Sequence, residues 1–377
     1  MATPKLRFPA FEEKWNKQRL DSFLERVSNP IDVIPNKKYS QIGIRSHGKG
    51  IFHKEAVTGE ELGNKRVFWV EPNALVVNIV FAWERAIAVT SDAEKGMIAS
   101  HRFPMYLPKN NLSNVNFLRY LFVTDKGQSY LELASPGGAG RNKTLGQSNF
   151  SELKIDLPSL EEQTKIATFL STVDEKISQL SQKLHLLGQY KQGMMQKLFS
   201  QQIRFKADDG SEFGDWEILK FKDVITIKYG KDHKKLKDGD IPVLGTGGIM
   251  RYVDSYLYDG ESILIGRKGT IDKPQFISGK FWTVDTLFYT EIGEKIRPKF
   301  AFQQLLLVNW LNLNEATGVP SLNTTSIGNI ELKVPSLEEQ TKIANFLSAI
   351  DQKIDVVSEQ LEQAKLWKKG LLQQMFV

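Results

Sequence analysis

PSLEEQTKIA stands at residues 158–167 and again, letter for letter, at 335–344. The likeness runs on from there. Aligned at the same offset, 158–199 and 335–376 share 22 of 42 positions, and others are conservative exchanges such as Val173 with Ile350 and Tyr190 with Trp367. The offset is 177 residues, whereas solenoid repeats recur about every 20–50, so this is a two-fold duplication with divergent inserts. Each copy opens on the S-x-x-E start signal of a helix, Ser159 with Glu162 and Ser336 with Glu339, each behind a proline. Apolar residues then fall at Ile166, Leu170, Val173, Ile177, Leu180, Leu184 and Leu187, resuming at Met194 and Leu198. The second copy answers with Ile343, Leu347, Ile350, Ile354, Val357, Leu361 and Ala364, then Leu371 and Met375. Steps alternating four and three are a heptad seam, and the seam skips at Lys191 and at its counterpart Lys368. Each helix is expected to run about 40 residues, roughly 60 Å at 1.5 Å per residue.

Two arrangements satisfy such seams. Each helix can pack on its own neighbouring domain, or the two can pair within the chain; pairing is the reading preferred. Halves related by a pseudo-two-fold place the helices antiparallel, as a spacer between two globular inserts. Tyr190 and Trp367, at matching positions, can face the partner helix or a protein partner, or pack in the core; core packing is the reading preferred.

The front of each half carries a fainter echo: Leu6-Arg7-Phe8 with Trp15, and Ile203-Arg204-Phe205 with Trp216. The inserts hold short β-branched and aromatic runs broken by glycine, such as Val67 to Val70, Leu75 to Phe81, Ile263 to Ile265 and Phe281 to Val284. They read as mixed α/β domains of short strands and loops, with helices expected at Asn116–Val123 and Phe300–Leu311. The fold class is therefore α+β, with two mixed domains separated by two long helices in an antiparallel coiled coil. The boundaries fall at 1–157, 158–200, 201–334 and 335–377.

Composition bounds the function. A chain of 377 residues exceeds one ordinary core. It contains no cysteine, which excludes disulfides and thiolate chemistry. The stretch MATPKLRFPAFEEKW has no apolar segment of the secretory kind. Apolar runs such as Leu305 to Val308, with Trp310 and Leu311, fall far short of the roughly 20 residues of a membrane span. No membrane association and a cytoplasmic location are expected. A net charge of +6 points to an anionic partner such as nucleic acid.

A catalytic constellation is missing. GIRSHGKG at 43–50 nearly spells a phosphate-binding loop, but Gly50 stands where Ser or Thr holds magnesium, and Ile51-Phe52 reads as strand. Gly245-Thr246-Gly247-Gly248 lacks the third glycine of a dinucleotide fingerprint, and the glycines at 137–140 form a loop. The five histidines have no metal-ligand spacing. The Asn-Pro-Pro-aromatic or Asp-Pro-Pro-aromatic motif of amino-methyltransferases is absent. No catalytic residue, no metal ligand and no cofactor of its own are expected.

Basic residues instead gather with glycines and aromatics inside the inserts. In the first, Lys37, Lys38, Arg45, His47 and Lys49 precede Arg141 and Lys143; in the second, Lys231 and Lys234 precede Thr246, Arg251, Arg267, Lys268 and Asn323. A charge run is ordinarily a solvated face. Loops mixing Arg, Lys, Asn, Thr and Gly are also what phosphate and base-edge contacts require. These fourteen residues are the candidate DNA contacts. A coiled-coil scaffold for two protein partners, binding no DNA, is the competing reading; it leaves two basic, glycine-looped inserts unexplained.

With the duplicated PSLEEQTKIA openings, LRFPAFEEKW at 6–15, GIRSHGKGIFHKE at 43–55, IPVLGTGGI at 241–249, ILIGRKGTI at 263–271 and FWTVDTLFY at 281–289, the chain resembles the DNA-specificity subunit of a Type I restriction-modification enzyme. The likeness spans essentially the whole length. It implies that each insert is a target-recognition domain reading one half of a bipartite double-stranded DNA site. It implies further that the paired helices set the gap and dock two DNA adenine methyltransferase subunits, through which restriction subunits join. S-adenosylmethionine, ATP and magnesium would belong to those partners. Some members carry short tandem repeats before the second insert; none stands between Phe199 and Phe205.

Overall fold

The structure is a computed structural model describing residues 4–137 and 143–376. Arg141, one of the candidate DNA contacts, lies outside the described residues. The chain divides into two compact units, Met1–Leu180 with Gln360–Val377, and Ser181–Glu359. The divisions therefore fall inside the two long helices, Leu160–Phe199 and Leu337–Met375, of 40 and 39 residues.

In the first unit the insert builds three small sheets. Asn16–Arg19 pairs with Lys154–Leu157. A four-stranded sheet runs Leu24–Val27, Met105–Pro108, Leu75–Val77, Ile87–Val89, all antiparallel. A second runs Ile51–Thr58, Lys38–Ile44, Ile98–Ser100, Val67–Trp69, in which Lys38–Ile44 and Ile98–Ser100 are parallel. Strand Lys38–Ile44 has its register shifted between Tyr39 and Gln41, and it buries Tyr39 in one small core and Ile42 and Ile44 in another. Helices Val115–Phe122 and Asp125–Leu133 follow.

The second unit repeats this topology strand for strand with different residues. Glu217–Lys220 pairs with Glu331–Val334. One sheet runs Ile225–Tyr229, Leu287–Ile292, Ser262–Gly266, Gln275–Ile277, and the other Gly248–Val253, Ile241–Gly245, Lys280–Thr283, Tyr258–Asp259. The one parallel pair recurs, between Ile241–Gly245 and Lys280–Thr283. Ser262–Gly266 is buried throughout, which is why Ile263 to Ile265 run apolar without alternation and the Ser262 hydroxyl donates to the Thr290 carbonyl at 2.7 Å. Among the described residues no helix is long and apolar enough to cross a membrane.

Both packing arrangements expected for the long helices hold at once. In the first unit Ile166, Leu170 and Val173 share one core with Trp15, Phe117 and Tyr120 of the insert and with Leu371 and Met375 of the C-terminal helix. In the second unit Ile343, Leu347 and Ile350 do the same with Phe221 and Phe300 and with Met195 and Leu198 of the central helix. The start of one helix thus shares a unit with the end of the other, which is the antiparallel arrangement.

The skips in the seam are filled by charge. Lys191 pairs with Asp351 at 2.6 Å in the second unit, and Lys368 pairs with Asp174 in the first. These are equivalent positions of the repeat. Asp174 also accepts the Tyr120 hydroxyl at 2.7 Å, and Asp351 accepts the Gln303 amide at 2.8 Å, so each pair also ties an insert to the helices. Such polar pairs inside an apolar seam fix its register. Burial raises the pKa of Asp174, but hydrogen bonds from Lys368 and Tyr120 and the charges of Lys368 and Arg119 outweigh it, and the net shift is downward. A depressed carboxylate stabilises the fold above its unfolded pKa, near 3.9, and that contribution disappears as pH falls through the lower folded value. We expect Asp174→Asn to cost the first unit about 1–2 kcal/mol at neutral pH and to flatten its acid denaturation limb, measured by equilibrium unfolding as pH falls from about 5 to about 2.

Four expectations need correction. Tyr190 and Trp367 are not core residues: both are about half exposed, Trp367 touching Phe169 edge-on. The heptad phase drifts past the skip, so that Met195 is buried and Met194 only partly so. The helix expected over Phe300–Leu311 is Pro298–Leu305, followed by a separate 3-10 turn at Trp310–Leu313. Here the Trp310 indole donates to the Leu305 carbonyl at 3.0 Å, taking an acceptor at the helix end. The earlier helix, expected from Asn116, starts at Val115 because Asn114 caps it, accepting from the amides of Asn116 and Phe117.

A fifth correction explains the duplicated decapeptide. The capping box is only half built: Ser159 accepts the Glu162 amide, but the Glu162 carboxylate turns to Arg7, at 2.7 and 2.8 Å. Glu339 likewise takes Arg204, at 3.1 and 2.8 Å, and the Trp216 indole at 3.0 Å. The neighbouring glutamine is buried and satisfied. Gln163 donates to the carbonyls of Pro158 and Leu112 and accepts the amide of Asn114, the N-cap of an insert helix. Gln340 matches it with Pro335, Lys295 and Arg297, the last again an N-cap. The Glu-Gln pair is therefore a socket joining each helix to its own insert.

Candidate nucleic-acid interface

In the first unit the hairpin of Lys38–Ile44 and Ile51–Thr58 closes through residues 45–50, where Ile44 pairs with Ile51. The tip bends tightly, with His47, Gly48 and Gly50 in left-handed conformations. That geometry, and the following strand, exclude a phosphate-binding loop of the nucleotide-hydrolase kind. The tip is bolted in place: His47 and Gly48 donate their amides to the carbonyls of Glu84 and Arg85 at 2.7 and 2.9 Å, and the Ser46 hydroxyl donates to the Glu84 carboxylate at 2.8 Å. Gly48 is required twice over, by its φ of +65° and by Val123, whose methyl would lie 2.5 Å from a Cβ there.

Arg45, His47 and Lys49 all project into solvent from this tip. Arg45 lies over the Phe52 ring at 4.7 Å and donates to the Ile51 carbonyl. Lys143 joins them, 6.0 Å over the Trp83 ring beside Glu84. Lys37 and Lys38 do not: Lys38 pairs with Thr58 at the far end of the hairpin, roughly 20 Å away at 3.3 Å per residue. Lys37 sits there against Tyr39 and Trp69.

The corresponding hairpin of the second unit is tighter. Gly245 pairs with Gly248, so only Thr246 and Gly247 form the tip. Beside it runs the loop after Ser262–Gly266: the amides of Arg267 and Lys268 both donate to the Thr286 carbonyl, and Gly269 donates to Pro320. Thr246 approaches Gly269, with its hydroxyl 3.9 Å from the position of a Cβ there. Arg267 packs over Tyr229 at 5.6 Å, and Lys268 bridges Ser321. Lys231 is drawn in by its backbone N–H, which donates to the Thr283 carbonyl at 2.8 Å, a close approach that Gly230 permits, since a Cβ there would meet the Val284 carbonyl at 2.0 Å. Lys234 and Thr246 line a cleft of about 750 Å³ beside the hairpin.

Two candidates of this unit are committed internally. Arg251 donates to Asp238 at 2.7 Å and to the Leu236 carbonyl at 3.2 Å, pinning a neighbouring loop. Asn323 caps Thr324–Gly328 and donates to Glu315. Trp83, Arg85, Tyr229, His233 and Asp285 stand among the clustered residues without having been singled out from sequence. Trp83 and Arg85 stand tens of residues from the Arg45–Lys49 tip, and Asp285 tens of residues from Tyr229 and His233, which flank Lys231; only the sheet topology gathers the distant ones.

This doubled framework has known counterparts. Residues 72–187 and 214–366 match the family described as the Type I restriction modification DNA specificity domain, and the chain belongs to that family, the non-catalytic, DNA-recognising specificity subunits of type I restriction-modification systems. The Type I restriction enzyme MjaVIII specificity subunit of Methanocaldococcus jannaschii is 30% identical, over 97% of this chain and 92% of its own. Among solved structures, the S subunit of a type I system from M. genitalium superposes with a TM-score of 0.68 at 18% identity, over 100% of this chain and 99% of that one. A chain from a structural study of complex assembly in the type I system gives 0.56 at 16% identity, covering 97% and 98%.

Proposed function

We propose that the inserts, 1–157 and 201–334, are two target-recognition domains, each reading one half of a bipartite DNA site. Segments 158–200 and 335–377 form the spacer that sets the gap and carries the partners. The observation that carries this reading is one strand topology built twice, with unlike loops at equivalent hairpin tips: Arg45, His47 and Lys49 in the first, Thr246 and Gly247 in the second. One scaffold with two chemistries suits two different half-sites. In the first domain Arg45, His47, Lys49 and Lys143 make the contacts, with Arg141 beside them in sequence; in the second, Lys231, Lys234, Thr246, Arg267 and Lys268 do. Lys37, Lys38, Arg251 and Asn323 serve at the margin, in phosphate contacts or in holding the loops.

Two identical methyltransferase subunits dock on the helix openings. What supports this is the outward half of the decapeptide. Leu160, Glu161, Thr164 and Lys165 are exposed, as are their identical counterparts Leu337, Glu338 and Thr341, and solvent alone gives no reason to write these residues twice. S-adenosylmethionine, ATP and magnesium reside in the methyltransferase and restriction partners, and the assembly works in the cytoplasm.

Co-expression with the cognate methyltransferase in a methylation-free host, followed by mapping of modified bases, tests the reading. A split motif with methyladenine on opposite strands is expected. Arg267→Ala is expected to relax one position of one half-site, at about 1–3 kcal/mol, leaving the other half unchanged. An unsplit motif, or relaxation in both halves, overturns the assignment.

A further inference from the structure

The two hairpin tips differ in a way that charge alone does not explain. Beyond the uncharged tip of the second unit, Ile249 and Met250 are more than half exposed, and both line the 750 Å³ cleft together with Val284. Met250 folds back over Gly245, its sulfur 2.9 Å from where a Cβ would stand. The charged residues lining the cleft are Asp232, Lys234 and Asp285, and Arg267 and Lys268 adjoin it, their amides bonded to the carbonyl of Thr286, which also lines it. An exposed apolar strip beside such cations suits a ligand that is polyanionic outside and apolar at one point. Duplex DNA presents one such point in its major groove, the C5-methyl of thymine.

The cleft also carries Asp285, exposed at the head of the Val284–Thr286 turn. A carboxylate there repels phosphate and accepts from an exocyclic amino group, such as the adenine N6 that accompanies thymine in its pair. His233 lines the same cleft. Apolar wall and carboxylate together suit the edge of a base pair better than they suit the backbone.

Resting on the reading that the second insert recognises DNA, we propose that this cleft reads an A·T pair of the second half-site through the thymine methyl, which seats on Ile249 and Met250. In the first insert Ile51 and Phe52 follow the tip at the equivalent place, only partly exposed, with the Phe52 ring over Gly43 and beneath the Arg45 guanidinium, so a cation covers the corresponding apolar surface there.

The test uses the assembled complex and the duplex motif recovered by methylation mapping, with each thymine of the second half-site replaced singly by deoxyuridine. Removing one methyl from an apolar contact is expected to weaken binding about fourfold at one position, equivalent to about 0.8 kcal/mol at about 1.4 kcal/mol per tenfold. In the double variant Ile249→Ala, Met250→Ala, whose exposed side chains can be trimmed without opening the core, that same replacement is expected to change nothing. A wild-type complex with a split motif but no uracil-sensitive thymine in this half overturns the thymine reading and leaves the two-domain reading standing. Sensitivity that persists in the variant also overturns it. A chain giving no split motif overturns both.

Discussion

Arg204→Ala is expected to destabilise the second unit by about 3–5 kcal/mol, the cost of stranding a buried charge. Glu339 is fully buried, and its carboxylate is held by the Arg204 guanidinium and the Trp216 indole. Without Arg204 one indole N–H would have to satisfy a carboxylate that water cannot reach. Arg204 also donates to the Gly214 carbonyl at 2.7 Å, so the segment leading into the insert would loosen with it. Arg204→Lys is expected to recover little, because an ammonium cannot reproduce the forked contact. The double variant Arg204→Met, Glu339→Leu should recover most of the loss, since a buried pair replaced by apolar groups is often neutral. Hydrogen exchange of the second unit reads all three; protection unchanged by Arg204→Ala would remove the socket from the account of stability.

The second large effect is a matched pair. Leu170 and Leu347 occupy the same repeat position, both completely buried, each in the core of its own unit. Leu170→Ala is expected to lower the stability of the first unit by about 2–5 kcal/mol, and Leu347→Ala that of the second by a like amount. Each side chain fills space between an insert and two helices, and a cavity at such a three-way junction collapses poorly. Because the units are separate cores, the loss should appear in exchange protection of one unit per variant. Equal loss in both units from either substitution would show that the two cores unfold as one.

The duplication, the helix starts and the seam were legible in sequence because they are local and periodic. Position 158 announces itself by Pro-Ser and the seam by its spacing. The skip at Lys191 and Lys368 was legible as a break, but not as a device, since Asp351 and Asp174 become partners only when the helices meet. Glu162 misled for a related reason. A glutamate at the third helical position predicts a capping box from local geometry alone, and Arg7, 155 positions away, outcompetes the local partner. Tyr190 and Trp367 were misplaced because aromatic size suggests burial, whereas they lie off the seam. In the inserts the clustered loops follow from a parallel strand pair between residues far apart in the chain, and no short-range pattern encodes it. Lys37 and Lys38 were grouped with Arg45 by nearness in sequence, although an extended strand carries them apart.

On the proposed reading of the first hairpin tip as a DNA contact, its fastening to Glu84 and Arg85 bears on how errors are rejected in time. A floppy finger can re-aim when it meets a wrong base and linger there. A fixed one leaves its donors facing no acceptor, and the encounter ends quickly. Arrival, governed by long-range attraction between a positively charged protein and any duplex, is then much the same for right and wrong sequences. Discrimination falls to residence, with short dwell at a mismatch and long dwell where every fixed group finds its counterpart.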